Sequence, residues 1–190
     1  MDKSAVTEYP LMPELQRRWS PRAFDPDYRL SDEEVRTLFE AARWSASASN
    51  TQPWRYAAGH RGDQVFQTIH QHLASGNQVW AGAVSMLVAG IAEEVTEAGK
   101  NQLWAQYDLG QAAAHLSIQA THMGLMVHQM GGFKRDELRV ALGLEDRFTV
   151  VAIMAIGRMG DISALPENLR EREVEARDRK PLAEIMLSGL

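Results

Sequence analysis

Residues 148–156, Phe-Thr-Val-Val-Ala-Ile-Met-Ala-Ile, are apolar on both alternating sets of positions and stop at Gly157. A strand of this kind needs apolar cover on both faces, which excludes a sheet left half open to water. Val84 to Ala92 reads as a second buried strand, and Arg55 to Ala58 as a third. Asn101 to Met123 is the longest helical pattern, with Leu103, Tyr107, Ala114 and Ile118 among its apolar positions and Leu125 just beyond. Its alanines, Ala112, Ala113, Ala114 and Ala120, favour helix and permit close approach of another element. Gly124 is a plausible stop.

The other elements carry local signals. Ser31-Asp32-Glu33-Glu34 is a capping box, and the helix after it places Val35, Leu38, Phe39 and Ala42 on one face before ending near Trp44. Leu11 to Arg18 predicts a short helix with Pro13 near its start, and Arg18 to Tyr28 an irregular loop holding Pro21 and Pro26. Asp63 to Ala74 predicts a helix with Val65, Phe66, Ile69 and Leu73 inward, and Lys134 to Leu142 another, stopped at Gly143. The first ten residues are polar and predict loose attachment. From Pro166 to Lys180, five basic side chains alternate with five acidic ones among few apolar residues. Two readings stay open there. One is a solvated tail; the other is an arm that wraps a partner subunit and docks through Pro181, Leu182, Ile185, Met186 and Leu187.

Composition narrows the function. The 190 residues, 45% hydrophobic and 24% charged, predict one globular domain. A chain with no cysteine has no disulfide scaffold, thiol nucleophile, iron–sulfur cluster or Cys-based zinc site. A net charge of −5 argues against nucleic acid as a partner. The longest apolar run, Ala81 to Ala92, is short of the ~20 residues of a spanning helix, and the start Met1-Asp2-Lys3-Ser4 lacks a signal-type apolar region. A cytoplasmic protein that does not bind membranes is the expectation. His70 and His72 are two apart and His115 and His122 seven apart, with no third ligand at metal spacing, so no metal is expected. No Gly-x-Gly-x-x-Gly, Walker loop or Gly-x-Ser-x-Gly is present.

Four segments can carry chemistry. Arg18-Trp19-Ser20-Pro21-Arg22-Ala23-Phe24 offers two guanidiniums and a hydroxyl, donors suited to a phosphate. Ser45 to Trp54 combines small side chains with Asn50 and Gln52, each a donor and an acceptor, suited to the edge of an amide-rich ring. Gly131-Gly132-Phe133 frees the backbone for close approach to a ligand. Arg177-Asp178-Arg179-Lys180-Pro181 offers a second set of phosphate donors. Each alone reads equally as a surface loop, turn or charge run. No carboxylate pair demands acid–base chemistry, and no catalytic side chain is assigned.

Together these segments resemble the nitroreductase family of flavoproteins. The resemblance rests on Arg18-x-Ser20-x-Arg22-x-Phe24, Glu40-Ala41-Ala42-Arg43-Trp44 closing the capped helix, and Asn50-x-Gln52-Pro53-Trp54. Further along it rests on Tyr107-Asp108-Leu109-Gly110, the run Gly124 to Phe133, Leu142-Gly143-Leu144, Ile156-Gly157 and Lys180-Pro181-Leu182. It covers residues 11–187 and implies an α+β fold: a small mixed sheet flanked by helices, in one domain, with 160–190 as an extended C-terminal arm. It implies an intertwined homodimer with FMN at the interface. Arg18 and Ser20 are then expected at the phosphate and ribityl chain, Arg22 at the ribityl or pyrimidine side, and Arg179 or Lys180 at the phosphate. Ala46, Ser47, Asn50 and Gln52 are expected from the partner, and Gly131 and Gly132 near flavin N5. Trp19, also expected at the cofactor, stands where a smaller or polar residue is commoner. Gly131 stands where some members carry Glu.

The implied activity is an FMN-dependent NAD(P)H oxidoreductase. Hydride passes from NADH or NADPH through flavin N5 to a nitroaromatic, quinone or similar acceptor, by a ping-pong mechanism. Two alternatives remain: a specialised flavin reductase or dehydrogenase of another small molecule, and a flavin-binding module without efficient turnover.

Overall fold

The two long apolar runs become the two central strands. The computed structural model describes residues 3–188; the last two residues of the expected arm, 189 and 190, lie outside them. Strands β1 (Trp54–His60), β2 (Met86–Glu93), β3 (Met126–Met130) and β4 (Phe148–Gly157) form one sheet in the order β1-β2-β4-β3. Every residue of β2 is buried, as a strand covered on both faces requires. The α+β class agrees with the expectation, while the mixed sheet is narrowed: all three pairings among the described strands are antiparallel.

Alternation sends Met86, Val88 and Ala92 of β2 to one side and Leu87, Ala89 and Ile91 to the other. In β4 the parity slips once. Gly90 pairs with Ala152 and Ile91 with Val150, so Val151 is an extra residue. The bulge lets Val150 share a face with Ile153 and Ala155. Helices α2 (Asp32–Arg43) and α5 (Ala105–His122) cover the first face through Leu38, Ala42, Leu109, Ala112, Leu116 and Ala120. Helices α3 (Gln64–Gln71), α4 (Ser75–Ala81), α6 (Arg135–Ala141) and α7 (Glu167–Val174) bring Phe66, Ile69, Trp80, Leu138 and Leu169 to the second. The capping box is formed: Ser31 Oγ accepts from Glu34 N and the Glu34 carboxylate accepts from Ser31 N.

Four expectations need correcting. The helix predicted over 63–74 ends at Gln71, and α4 follows it. Leu73 leaves the helix to bridge Phe133, and the Ala74 N–H goes to Gly132 O. The helix predicted over 101–123 starts at Ala105; its sheet-facing stripe is made by the small residues with Leu109 and Leu116, while Leu103 before it and Tyr107 and Ala114 on it are exposed. The N-terminal segment is attached. Ala5 N donates to Gln16 O at 2.8 Å and Lys3 Nζ to Glu173 O at 2.7 Å. Finally, the charged stretch over 166–180 is not solvated throughout. Leu169 and Glu173 are buried, and Glu173 is 0% exposed.

Candidate active site

After α1 (Pro13–Arg17) the chain turns into the Arg18–Phe24 loop, which the fold grips from several sides. Phe24 enters the core and stacks on Trp80, ring centroids 6.0 Å apart and 14° from parallel. Its neighbours run against the segment after β4: Asp25 N donates to Arg158 O and Gly160 N to Ala23 O, both at 3.0 Å. A Cβ on Gly160 would stand 2.3 Å from the carbonyl carbon of Phe24, so this close approach needs glycine. His128 of β3 lies with Nδ1 2.7 Å from Pro21 O. Glu173 of α7 accepts from Arg22 N at 2.6 Å and Ala23 N at 3.1 Å.

The loop begins in a field of positive charge. Arg18 is half-buried; its guanidinium lies below the usual arginine range, first through burial and then through repulsion from Arg177 and Arg179. Burial and Arg179 push Arg177 the same way. Arg177 Nη1 is held by the carbonyls of Lys3 and Gln16, each at 2.8 Å. Among the described residues none of these three guanidiniums is ion-paired with a carboxylate. Crowded cations without a counter-ion are suited to a multivalent anion such as a phosphate. Lys180 turns elsewhere, 4.0 Å from Glu184. Trp19 takes the Lys3 ammonium over its ring at 4.5 Å, and Ser20 is half-buried between Arg18 and the anchored Pro21.

Gly131 and Gly132 follow β3 on the same edge of the sheet and are exposed. Gly132 O accepts from Ala74 N at 2.9 Å and from Asn77 Nδ2 at 3.0 Å, which pins the turn to the start of α4. Gly131 is open: a Cβ there would meet nothing within 4 Å. Arg18 thus lies in the field of Arg177 and Arg179, Arg22 is tied to β3 and α7 through Pro21 and Glu173, and Gly131 and Gly132 follow that same strand β3.

The Ala46–Gln52 loop is built differently. Ser49, Asn50 and Gln52 hold positive φ of 51°, 55° and 49°, a left-handed conformation that costs side-chain-bearing residues about 1–3 kcal/mol each, least for Asn. Helix α5 supports it. Asp108, buried, accepts from Ala48 N at 3.0 Å, and His115 Nδ1 meets Ser45 Oγ at 2.7 Å. Ser47 Oγ accepts from Gln52 N at 3.0 Å. Ala46, Asn50 and Gln52 are exposed, and Ala46 and Ser47 line a cavity of about 190 Å3 with Trp104 and Tyr107. Among the described residues no hydrogen bond or ion pair joins Ala46, Ser47, Asn50 or Gln52 to Arg18, Arg22, Arg179, Gly131 or Gly132.

The nitroreductase family model matches residues 15–79 and 60–158. The chain belongs to the nitroreductase family. A solved oxidoreductase containing FMN superposes with a TM-score of 0.91 at 38% identity, covering 97% of this chain and 94% of that one. An uncharacterised 15.4 kDa protein of Mycolicibacterium smegmatis is 33% identical over 146 residues, 71% of this chain and 95% of its own length. The major NAD(P)H-flavin oxidoreductase of Aliivibrio fischeri is 35% identical over 69 residues, 33% of this chain and 32% of its own.

Three residues of the candidate site went unassigned by sequence reasoning, and a fourth, Arg177, was offered only within a run of phosphate donors. Arg177 sat in a basic cluster, but only the fold puts it in Arg18's field. Asp108 was visible as a lone carboxylate on an apolar helix and props the Ala46–Gln52 loop. His128 and Glu173 had no local signal. Their partners are 107 and 151 residues away in sequence.

Proposed function

We propose that this protein is an FMN-dependent NAD(P)H oxidoreductase. It acts as a homodimer and reduces a flat acceptor such as a nitroaromatic or a quinone by a ping-pong mechanism. The observation that carries the proposal is the cluster of Arg18, Arg177 and Arg179 without a counter-ion, the donor set a flavin mononucleotide phosphate requires. FMN, when bound, supplies the two-electron carrier between nicotinamide and acceptor.

The chain's own residues bind and orient. Arg18, Arg177 and Arg179 hold the phosphate, and Ser20 offers its hydroxyl to the ribityl chain. Arg22 places positive charge toward the pyrimidine side of the ring, where negative charge collects on reduction. Gly131 and Gly132 keep the sheet edge free of side chains, so a ring system can lie against backbone. The second copy contributes its Ala46–Gln52 loop, with Asn50 and Gln52 offering donors and acceptors to the ring edge. Two features support the dimer: the Ala46–Gln52 loop leads into edge strand β1 while Gly131 and Gly132 follow the opposite edge strand β3, and Trp44, Leu103, Trp104 and Tyr107 are 73%, 86%, 57% and 64% exposed.

Anaerobic titration of the purified, FMN-loaded protein with NADH and with NADPH tests the reading. Loss of the yellow flavin absorbance with at least one nicotinamide, and its return on adding a quinone, is expected. A protein that stays colourless in the presence of FMN contradicts it.

A further inference from the structure

One peptide group in the candidate site is gripped at both of its polar ends by ionisable side chains, one half-buried and one buried. The carbonyl of the Pro21–Arg22 peptide lies 2.7 Å from His128 Nδ1, and its N–H donates to Glu173 Oε1 at 2.6 Å. Glu173 Oε1 also accepts from Ala23 N at 3.1 Å, and Oε2 stands 3.4 Å from Arg22 Nη1. Glu173 is 0% exposed, and the Arg22 side chain is 20% exposed. The two gripping residues come from opposite sides. His128 sits on edge strand β3, its ring 4.6 Å from that of Trp80. Glu173 sits on the last turn of α7, and its own carbonyl is held by Lys3 Nζ.

A surface loop needs no such device. Burying a carboxylate costs several kcal/mol unless donors compensate, and here the donors are the backbone and side chain of one arginine and its neighbour. A histidine whose Nδ1 donates to a carbonyl serves neutral with Nδ1 protonated, and burial holds the His128 imidazole below its usual range. Both groups are therefore committed to fixing the peptide, and through it the start of the Arg22 side chain. Glu173 does one thing more: its negative charge faces the Arg22 guanidinium and offsets part of the field that Arg22 projects.

We propose that Glu173 and His128 are positioning residues for the flavin, clamping the Pro21–Arg22 peptide so that Glu173 sets both the pose and the net field of Arg22 at the ring. This rests on the FMN reading above. It assigns to α7, the first part of the C-terminal segment, a function inside its own chain's site.

The test uses the FMN-loaded protein and two readouts, FMN affinity and the midpoint potential of the bound flavin, with thermal melting as a control. Glu173→Gln keeps an oxygen acceptor for Arg22 N and removes the charge. FMN affinity close to wild type and a more positive midpoint potential are expected, because the uncompensated Arg22 favours the reduced, anionic ring. Glu173→Ala removes the acceptor as well and is expected to weaken FMN binding by about tenfold or more. In an Arg22→Gln background, Glu173→Gln is expected to shift the potential by less than half as much, which separates an action through Arg22 from a general loss of stability. A wild-type potential in FMN-bound Glu173→Gln, or an equal shift with and without Arg22, overturns the inference while the FMN reading stands. A wild-type protein that takes up no FMN overturns both.

Discussion

The two halves of the candidate site are held in opposite ways. The Arg18–Phe24 loop is tied to β3, α7 and the segment after β4, and its Phe24 is in the core. The Ala46–Gln52 loop leans on one helix and keeps three side-chain-bearing residues in the left-handed region, all three of them exposed. Among the described residues the first leaves Arg18, Arg177 and Arg179 without a carboxylate partner. The second is propped by Asp108 of α5 and leaves Ala46, Asn50 and Gln52 exposed. In the proposed reading this division separates phosphate binding, which needs fixed donors, from ring recognition, which a second copy would complete.

Substitutions on each side sharpen the contrast. Gly160→Ala should have the largest effect. Its Cβ would collide with the Phe24 backbone, which cannot yield like a flexible side chain, so a loss of about 3 kcal/mol or more in chemical denaturation is expected. Asp108→Ala leaves the Ala48 N–H unpaired and should cost about 1–3 kcal/mol, with looser FMN retention. If the divided account holds, Asp108→Asn recovers most of that retention, because an amide oxygen still accepts. Gln52→Gly has the smallest effect on the fold. It relieves a φ of 49° and should change stability by less than about 1 kcal/mol, the relief being offset by backbone freedom gained in the unfolded chain. Its FMN affinity should nonetheless fall, because the amide is gone. A melting curve and a flavin titration on the same sample check both statements.

Much of the fold was legible where one signal dominated. The two-faced apolar runs gave central strands because nothing else in the chain can be buried on both sides, and Ser31 with Glu34 gave a formed cap. The break after Gln71 was not legible, since Leu73 fits a helical face as well as the bridge to Phe133 that it makes. Nor was the outward turn of Leu103 and Tyr107, because apolar periodicity does not tell a sheet-facing stripe from an exposed one. In the site, the motif residues Arg18, Ser20 and Arg22 stood close in sequence and could be read together. The groups that hold them, Glu173 and His128, act across more than a hundred residues, and an acidic residue in a charged tail gives no sign that it will be buried.

The central claim is that the Arg18 cluster is a phosphate site for FMN. Calorimetric titration of cofactor-free protein with FMN and with riboflavin, for wild type and Arg18→Ala, tests it most directly, because the two ligands differ only in the phosphate. The account predicts that wild type binds FMN at least about a hundredfold more tightly than riboflavin, and that Arg18→Ala loses about tenfold or more of FMN affinity with riboflavin affinity unchanged. Equal affinity of wild type for the two ligands, or an equal loss for both in Arg18→Ala, would contradict it.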